Sequence, residues 1–480
     1  MTDARRAWWT LGGACTGLFV LMLDSTIVGL ALPAIQRELD ASASGLQWVM
    51  NGYLLVIAAL VVTGGRLGDI YGRRAVFTAG LAIFAGGSIL SGVASSEEAL
   101  IAGRVVQGIG AAAMLPLSLA IVSDAFPGEQ QARALGIWAA ISAVALAIGP
   151  LVGGLLVDVD WRLIFWINVP VLAVGAAVML GVVPETRDES ATHRLDLAGL
   201  VLLAAGLIAL VLPLVESPEW GLGSARTLVV LMVGAALMAA FWVVEHRVAQ
   251  PIVDFALFRN GPYFGASAAA FALVGAWWSL IFFQPQYLQG SLGHSATVAG
   301  LLILPVTAPM VVISPLAGRL IARFGARRLM TAGMLCAVAG LVVLTQVTDS
   351  SGYGLLLPGY LLFGVALGLV YAPMSSAAMA AMPPEKTGIA SGVLAMDRVL
   401  AGALGLAVTG AVFQSLIDDQ SFPLALAHST WVLVGLMLIG TVLTWLFVRS
   451  PSPPAADPAV AGSPPPKELR HHLHHRRFHL

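Results

Sequence analysis

Three places in the sequence put ionisable side chains where water is scarce, and they define the chemistry to look for. Asp24 lies inside the apolar run Leu23-Asp24-Ser25-Thr26-Ile27-Val28-Gly29-Leu30-Ala31-Leu32-Pro33. An ionised carboxylate in the middle of a membrane span costs about 3 kcal/mol on insertion scales. Its presence points to a proton site, a cation site or an internal ion pair, with plain structural glue as the bland alternative. Arg104 lies in a second apolar run with Gln107, Gly108 and Ala111, spaced i, i+3, i+4 and i+7 on one helix face. A guanidinium does not shed its proton, so Arg104 requires an acid or carbonyl partner, and Asp24 is the candidate. Protonating that acid would weaken the pairing, which is how proton binding can bias a conformational equilibrium; a static buried pair is the alternative. Asp397 and Arg398 form the third place. Adjacent helical residues point about 100° apart, so the two cannot both face one cavity squarely. They read either as a second proton site or charged-substrate contact, or as residues that offset one another or face a neighbouring helix.

The elements that must carry these residues are membrane spans. The 480 residues are 58% hydrophobic and 11% charged, with a mean hydropathy of +0.88, whereas a soluble domain carries about 25% charge. Too little polar surface remains to cover a soluble globule, and stretches of about 20 apolar residues, enough to span, recur along the chain. Fourteen spans are predicted at 9–30, 46–65, 75–94, 99–121, 133–156, 163–183, 197–215, 226–244, 263–286, 297–318, 328–347, 354–377, 387–413 and 428–448. With both termini in the cytoplasm, only Arg37, Arg162 and Arg226 of the 25 Lys and Arg fall outside, Arg104 and Arg398 fall within spans, and the rest lie inside. The positive-inside rule expects this bias. Arg5 and Arg6 ahead of an apolar run look like a secretion leader, but the run is long enough to span and contains Asp24, so it is read as the first span.

Several classes of function are disfavoured. The net charge of −1 gives no support for a nucleic-acid partner. No phosphate-binding loop, metal-ligand cluster or catalytic constellation is visible in the hydrophobic body, so neither an enzyme nor a cofactor or metal is expected. Cys15 and Cys336 lie in separate apolar runs and read as buried thiols rather than a disulfide. The Pro-, Ala- and Ser-rich stretch 450–480, with its late His cluster, reads as a disordered cytoplasmic tail.

An internal repeat organises the spans. Gly65-Arg66-Leu67 with Gly72-Arg73-Arg74 matches Gly318-Arg319-Leu320 with Gly325-Ala326-Arg327-Arg328 at one constant offset, as in transporters built from repeats. The offset covers eight spans, so two are inserted between two six-span halves. The domains expected are 1–183, an N-terminal half; 184–260, two inserted helices; 261–449, a C-terminal half; and the tail.

The loop from Gly65 through Asp69 and Gly72 to Arg73 and Arg74 resembles the hallmark loop of the major facilitator superfamily, a cytoplasmic latch that holds one conformation. Asp69 is expected at a helix N-terminus or paired with an arginine across the bundle; plain positive-inside anchoring is the alternative. The run around Asp24 is similar to the first-helix signature of the fourteen-span drug:proton antiporters, although Gly29 stands where that family generally has Asn. Arg104, Gln107 and Gly108 resemble the fourth-helix motif. Gly149, Pro150, Gly153 and Gly154 resemble the fifth-helix antiporter motif, which physically offers a smooth, kinkable face able to seal the cavity against the opposite half. Trp161-Arg162 with Asn168-Val169-Pro170, Leu257-Phe258-Arg259-Asn260 and Gly388 with Ser391-Gly392 extend the likeness.

The resemblance implies an all-α polytopic membrane protein with the major facilitator fold and fourteen helices, in the bacterial inner membrane. It implies proton-driven efflux of drugs, antibiotics or other amphipathic molecules by alternating access. Proton coupling falls to Asp24, Arg104 and Asp397. Tyr53, Gln107, Trp138, Trp277 and Tyr371 are candidates for the substrate cavity, though each aromatic alone could equally pack against lipid or helices. Expected partners are a small organic substrate, protons and the lipid bilayer, with the chain working as a monomer. Export of one self-made metabolite, or proton-coupled import, are the alternatives.

Overall fold

The computed structural model describes residues 3–188, 195–383 and 386–448. Arg194 and the expected tail lie outside the described residues. Fourteen helices are long and apolar enough to cross a membrane. The first seven are α1 (Arg5–Leu39), α2 (Ala43–Tyr71), α3 (Arg73–Gly92), α4 (Glu97–Ala125), α5 (Gln130–Val157), α6 (Leu163–Val182) and α7 (Leu197–Val215). The rest are α8 (Ala225–Glu245), α9 (Gly261–Ser291), α10 (Ala296–Phe324), α11 (Ala326–Leu344), α12 (Tyr353–Ala380), α13 (Thr387–Ile417) and α14 (Phe422–Phe447). No strand occurs among the described residues, as expected where lipid offers no hydrogen bonds to a sheet edge. Each expected span has its helix, several of them longer because polar helix ends project beyond an apolar window.

Local chemistry starts many of these helices. Side chains of Ser42, Ser96, Asp196, Ser224, Asn260 and Ser295 accept from backbone N–H groups three residues on, at the first turns of α2, α4, α7, α8, α9 and α10. Such caps satisfy donors that would otherwise be orphaned. The repeat is structural as well as sequential. Gly72 separates α2 from α3 at φ +113°, and Gly325 separates α10 from α11 at φ +79°, a backbone region that disfavours any side chain.

In the first six spans, α1 packs on α4, α5 and α6, and α4 on α2 and α3. In the last six, α9 packs on α12, α13 and α14. The helices α7 and α8 pack on each other, and α7 also touches α2 and α13. Between the two groups the main contacts are α5 with α10, α2 with α13 and α1 with α9, with a smaller one between α1 and α10. Because fourteen spans alternate in direction, both described chain ends lie on one face, called here the terminal face; the opposite one is the far face.

The seam between the groups is tight at the far face. Gly154 lies so close to α10 that an added Cβ would stand 2.7 Å from the Thr297 Cα, and one on Gly300 would stand 3.0 Å from the Pro150 carbonyl carbon. A Cβ on Gly29 would collide with the Ile281 carbonyl of α9. Asp158, just beyond α5, accepts from the backbone N–H groups of Ala296 and Thr297 at 3.0 Å each, capping α10 from the other group of spans. Gln289 donates to the Leu30 carbonyl at 3.0 Å. At the terminal face, Cβ atoms on Gly136 of α5 or Gly318 of α10 would meet nothing within 4 Å. The bundle is closed at the far face and looser at the terminal one.

Candidate functional site

The polar centre lies inside the first six spans. Asp24 is 1% exposed and Arg104 is fully buried. Arg104 Nη1 donates to Asp24 Oδ2 at 2.7 Å and to Gln107 Oε1 at 2.8 Å. Its Nε donates to the Val49 carbonyl of α2 at 3.1 Å. The Tyr53 ring lies 4.1 Å beneath the guanidinium carbon. Gln107 Nε2 donates to Ser88 Oγ of α3 at 2.9 Å, and Gln107 and Asn168 of α6 each approach Asp24 Oδ1 at 3.5 Å. Five helices converge on one ion pair, so its charges are held by chain dipoles rather than water. Breaking such a pair by removing one partner costs about 3–5 kcal/mol, because the other charge is left buried.

Tyr53 and Gln107, expected on a cavity wall, are therefore buried around the ion pair. Trp277 is likewise buried, at 6% exposure, with its ring 5.5 Å from Trp278. Trp138 is half-buried on α5 and reaches Ser118 Oγ at 3.4 Å. Tyr371 on α12 is half-buried, its ring 5.4 Å from the guanidinium of Arg398.

Asp397 is not brought to the Asp24 centre. It accepts from Ser267 Oγ of α9 at 2.6 Å and lines a cavity of about 240 Å³ between α9 and α14 with Phe264, Phe271, Leu436 and Ile439. Ile439 is 61% exposed, so this cavity opens towards the lipid-facing side.

The hallmark loop is bonded differently from either expected arrangement of Asp69. Asp69 neither caps a helix nor reaches across the bundle; it pairs with Arg73, four residues on, at 2.8 Å. Arg73 also makes a two-oxygen contact with Asp124 at the end of α4, 2.6 Å to each. The cap of α3 comes instead from Glu185, which accepts from the N–H groups of Arg74 and Ala75 at 2.9 and 3.2 Å and pairs with Arg74 at 3.5 Å. Gly65 lies 3.4 Å, measured from an added Cβ, from Pro116 of α4. The loop is thus tied to α4 and to the segment that follows α6.

Gly149 and Gly153 face α1, where added Cβ atoms would meet Thr26 and Ile27, while Pro150 and Gly154 meet α10. The motif therefore joins α5 both to its own group of spans and to the other.

Several participants were not singled out from sequence. Ser88 carries no signal, since a lone serine in an apolar helix is common. Asp158, Asp124 and Glu185 lie in ordinary polar connections. Asn168 was visible only as part of a likeness, although an Asn within an apolar span is itself a signal, since its amide demands partners there.

The sequence model of the Major Facilitator Superfamily matches residues 14–406. The chain is 39% identical over 416 residues to the multidrug resistance protein Stp of Mycobacterium tuberculosis, covering 86% of this chain and 77% of that one. It is 36% identical over 419 residues to the tetracenomycin C resistance and export protein of Streptomyces glaucescens, with the same coverage of 86% and 77%. Among solved structures, a D-xylose-proton symporter superposes with a TM-score of 0.67 at 15% identity, over 92% of this chain and 98% of that one; this likeness concerns the fold alone. Fourteen apolar helices and bacterial relatives of this kind make the chain a multi-pass protein of the inner membrane. The chain belongs to the major facilitator superfamily, among its drug-efflux members.

Proposed function

We propose that this protein is a proton-driven antiporter that exports drugs, antibiotics or other amphipathic organic molecules, working as a monomer. The terminal face is cytoplasmic, and the halves 1–183 and 261–449 rock about the seam, with the inserted helices of 184–260 beside it. The observation that carries the reading is the Asp24–Arg104 pair, 2.7 Å long and sealed from both faces. A neutral substrate pocket has no need of such a pair; a proton-coupled rocking element does. When the far face opens, a proton from outside neutralises Asp24 and releases Arg104 from its only carboxylate partner among the described residues. Arg104 is left with the Gln107 and Val49 oxygens and the Tyr53 ring, which changes the packing of α1 against α2 and α4. Asp397 is the second candidate for proton exchange, in the other half.

The energetics suffice. A tenfold proton gradient supplies about 1.4 kcal/mol per proton, and a 100 mV potential about 2.3 kcal/mol per charge moved. One proton thus supports an outward gradient of an uncharged substrate of about several hundred-fold, and two protons one on the order of 10⁵-fold. Trp138 and Tyr371, half-buried on α5 and α12, are the aromatic candidates that remain for a cavity opening to the terminal face. The relative named for export of tetracenomycin C favours a second version, in which one metabolite is the natural substrate.

The test is dye efflux from energised cells, comparing wild type with Asp24→Asn at matched protein levels. Efflux abolished by an uncoupler and by Asp24→Asn is expected. Uncoupler-sensitive efflux that survives Asp24→Asn sinks the assignment of coupling to this pair.

A further inference from the structure

Two arginines lie within the spans, and they are built alike up to one missing part. Arg104 sits on the Tyr53 ring and holds the Asp24 carboxylate. Arg398 sits by the Tyr371 ring and makes no ion pair and no hydrogen bond among the described residues. It lies roughly 16 Å along α13 from Thr387, a depth at which an unpaired charge is expensive. Its proton cannot be shed to lower that cost.

The direction of the side chain follows from the helix. Ile389 of α13 is 48% exposed and Val408 is 37% exposed, and both mark the lipid-facing side. At about 100° per residue these two lie about 100° apart on the helix; Asp397 falls between them, about 80° from Ile389 and about 20° from Val408, whereas Arg398 lies outside that sector, about 180° from Ile389 and about 80° from Val408. Asp397 is accordingly on the side of the cavity between α9 and α14, hydrogen-bonded to Ser267. Arg398 is turned towards the interior, where Tyr371 of α12 meets it. The other titratable group beside it is Tyr263, whose hydroxyl is committed to the Ala390 carbonyl at 2.9 Å. Apart from the neighbouring Asp397, whose charge is felt by Arg398 but whose carboxylate is bonded to Ser267 and not to the guanidinium, the interior thus offers Arg398 an aromatic face and no paired anion.

We propose that Arg398 and Tyr371 form a subsite for the acid group of a flat aromatic substrate, the substrate supplying the carboxylate that Asp24 supplies to Arg104. A guanidinium presents paired donors that match a carboxylate, and the Tyr371 ring gives the attached aromatic system an offset-stacking partner. This deepens the exporter reading, on which it rests, by naming a substrate class: aromatic carboxylates in preference to the same molecules uncharged.

The probes are anthracene-2-carboxylate and anthracene-2-carboxamide, which differ in charge and little in shape, titrated by fluorescence onto the purified full-length protein. Wild type is expected to bind the acid at least tenfold more tightly than the amide. In Arg398→Gln that ratio falls to near one through loss of acid affinity. Arg398→Lys keeps part of the preference, and Tyr371→Leu weakens both compounds while the acid remains preferred. Equal wild-type affinities, binding of neither compound, or an undiminished ratio in Arg398→Gln overturn the proposal. The wild-type ratio decides the matter by itself where a variant does not fold. Wild-type cells that expel an uncharged dye while the purified protein shows no acid preference sink the subsite and leave the exporter reading standing; cells that expel no dye count against the exporter reading itself.

Discussion

Replacing Gly154 with alanine puts a methyl group into the far-face seam, where the structure has no room for one. The new Cβ would stand 2.5 Å from the Ala296 carbonyl oxygen and 2.7 Å from the Thr297 Cα. Both are backbone atoms of α10 and cannot rotate away. Ordinary contact begins near 3.4 Å, so relieving the closer contact requires the two helices to part by about 0.9 Å. Overpacking of this kind costs about 1–3 kcal/mol, and the cost falls only on the conformation in which the far face is closed. The population with the far face open should therefore rise about 5- to 150-fold. The readout is a cysteine in place of Ile281, which is 2% exposed against Gly29 in the seam, reacted with a maleimide in purified protein so that membrane sidedness does not enter. Gly154→Ala should speed its labelling by at least fivefold. Gly136→Ala, in the same helix but with nothing within 4 Å of its Cβ, should leave the rate unchanged. A rate that Gly154→Ala does not alter would refute the seam as the closed gate.

The remaining expectations concern the ions. Burial works to raise the Asp158 carboxyl, but hydrogen bonds from the side chain and backbone of Thr297, from Ala296 and from Ser295 outweigh it and hold the group below its ordinary 3.8. A lowered folded value means stability that is complete above the ordinary value and lost as pH falls through the lowered one. Labelling at Ile281→Cys, divided at each pH by the rate for the denatured protein so that thiolate ionisation cancels, should therefore be flat between about pH 5 and 8 and rise only under stronger acid, and Asp158→Asn should remove that acid limb; a midpoint near neutral pH would contradict the assignment. Arg104→Lys offers a single nitrogen where Nη1 and Nε now serve Asp24, Gln107 and the Val49 carbonyl. The variant should fold but export at least tenfold more slowly, and wild-type export would show that the fork geometry is unimportant. Asp24→Asn strands the Arg104 charge, and thermal unfolding should report a loss of about 3 kcal/mol, the lower end for a broken buried pair because the amide oxygen still accepts.

The spans, their number and the repeat were legible because each rests on a strong local cause: apolar runs of spanning length, basic loops, and a glycine forced to positive φ at Gly72 and again at Gly325. The Asp24–Arg104 pair was legible for a related reason, since a buried guanidinium must find an acid and few acids lie in the spans. What surrounds that pair was not, because Ser88, Asn168 and the Val49 carbonyl are brought in by packing from helices far apart in sequence. The same limit explains Asp69. A short loop lets an acid reach a neighbouring arginine at less entropic cost than a distant one, and Glu185 arrives from a connection over a hundred residues later to take the capping position. Gly29 shows the reverse case. In the sequence it marks only a polar side chain that the first helix does without. In the structure it is a steric requirement, because the Ile281 carbonyl occupies the space a side chain would need. A glycine that stands in for a polar residue thus tightens the far-face seam while thinning the polar lining. In a protein that alternates between two closed faces, that exchange stabilises one of them.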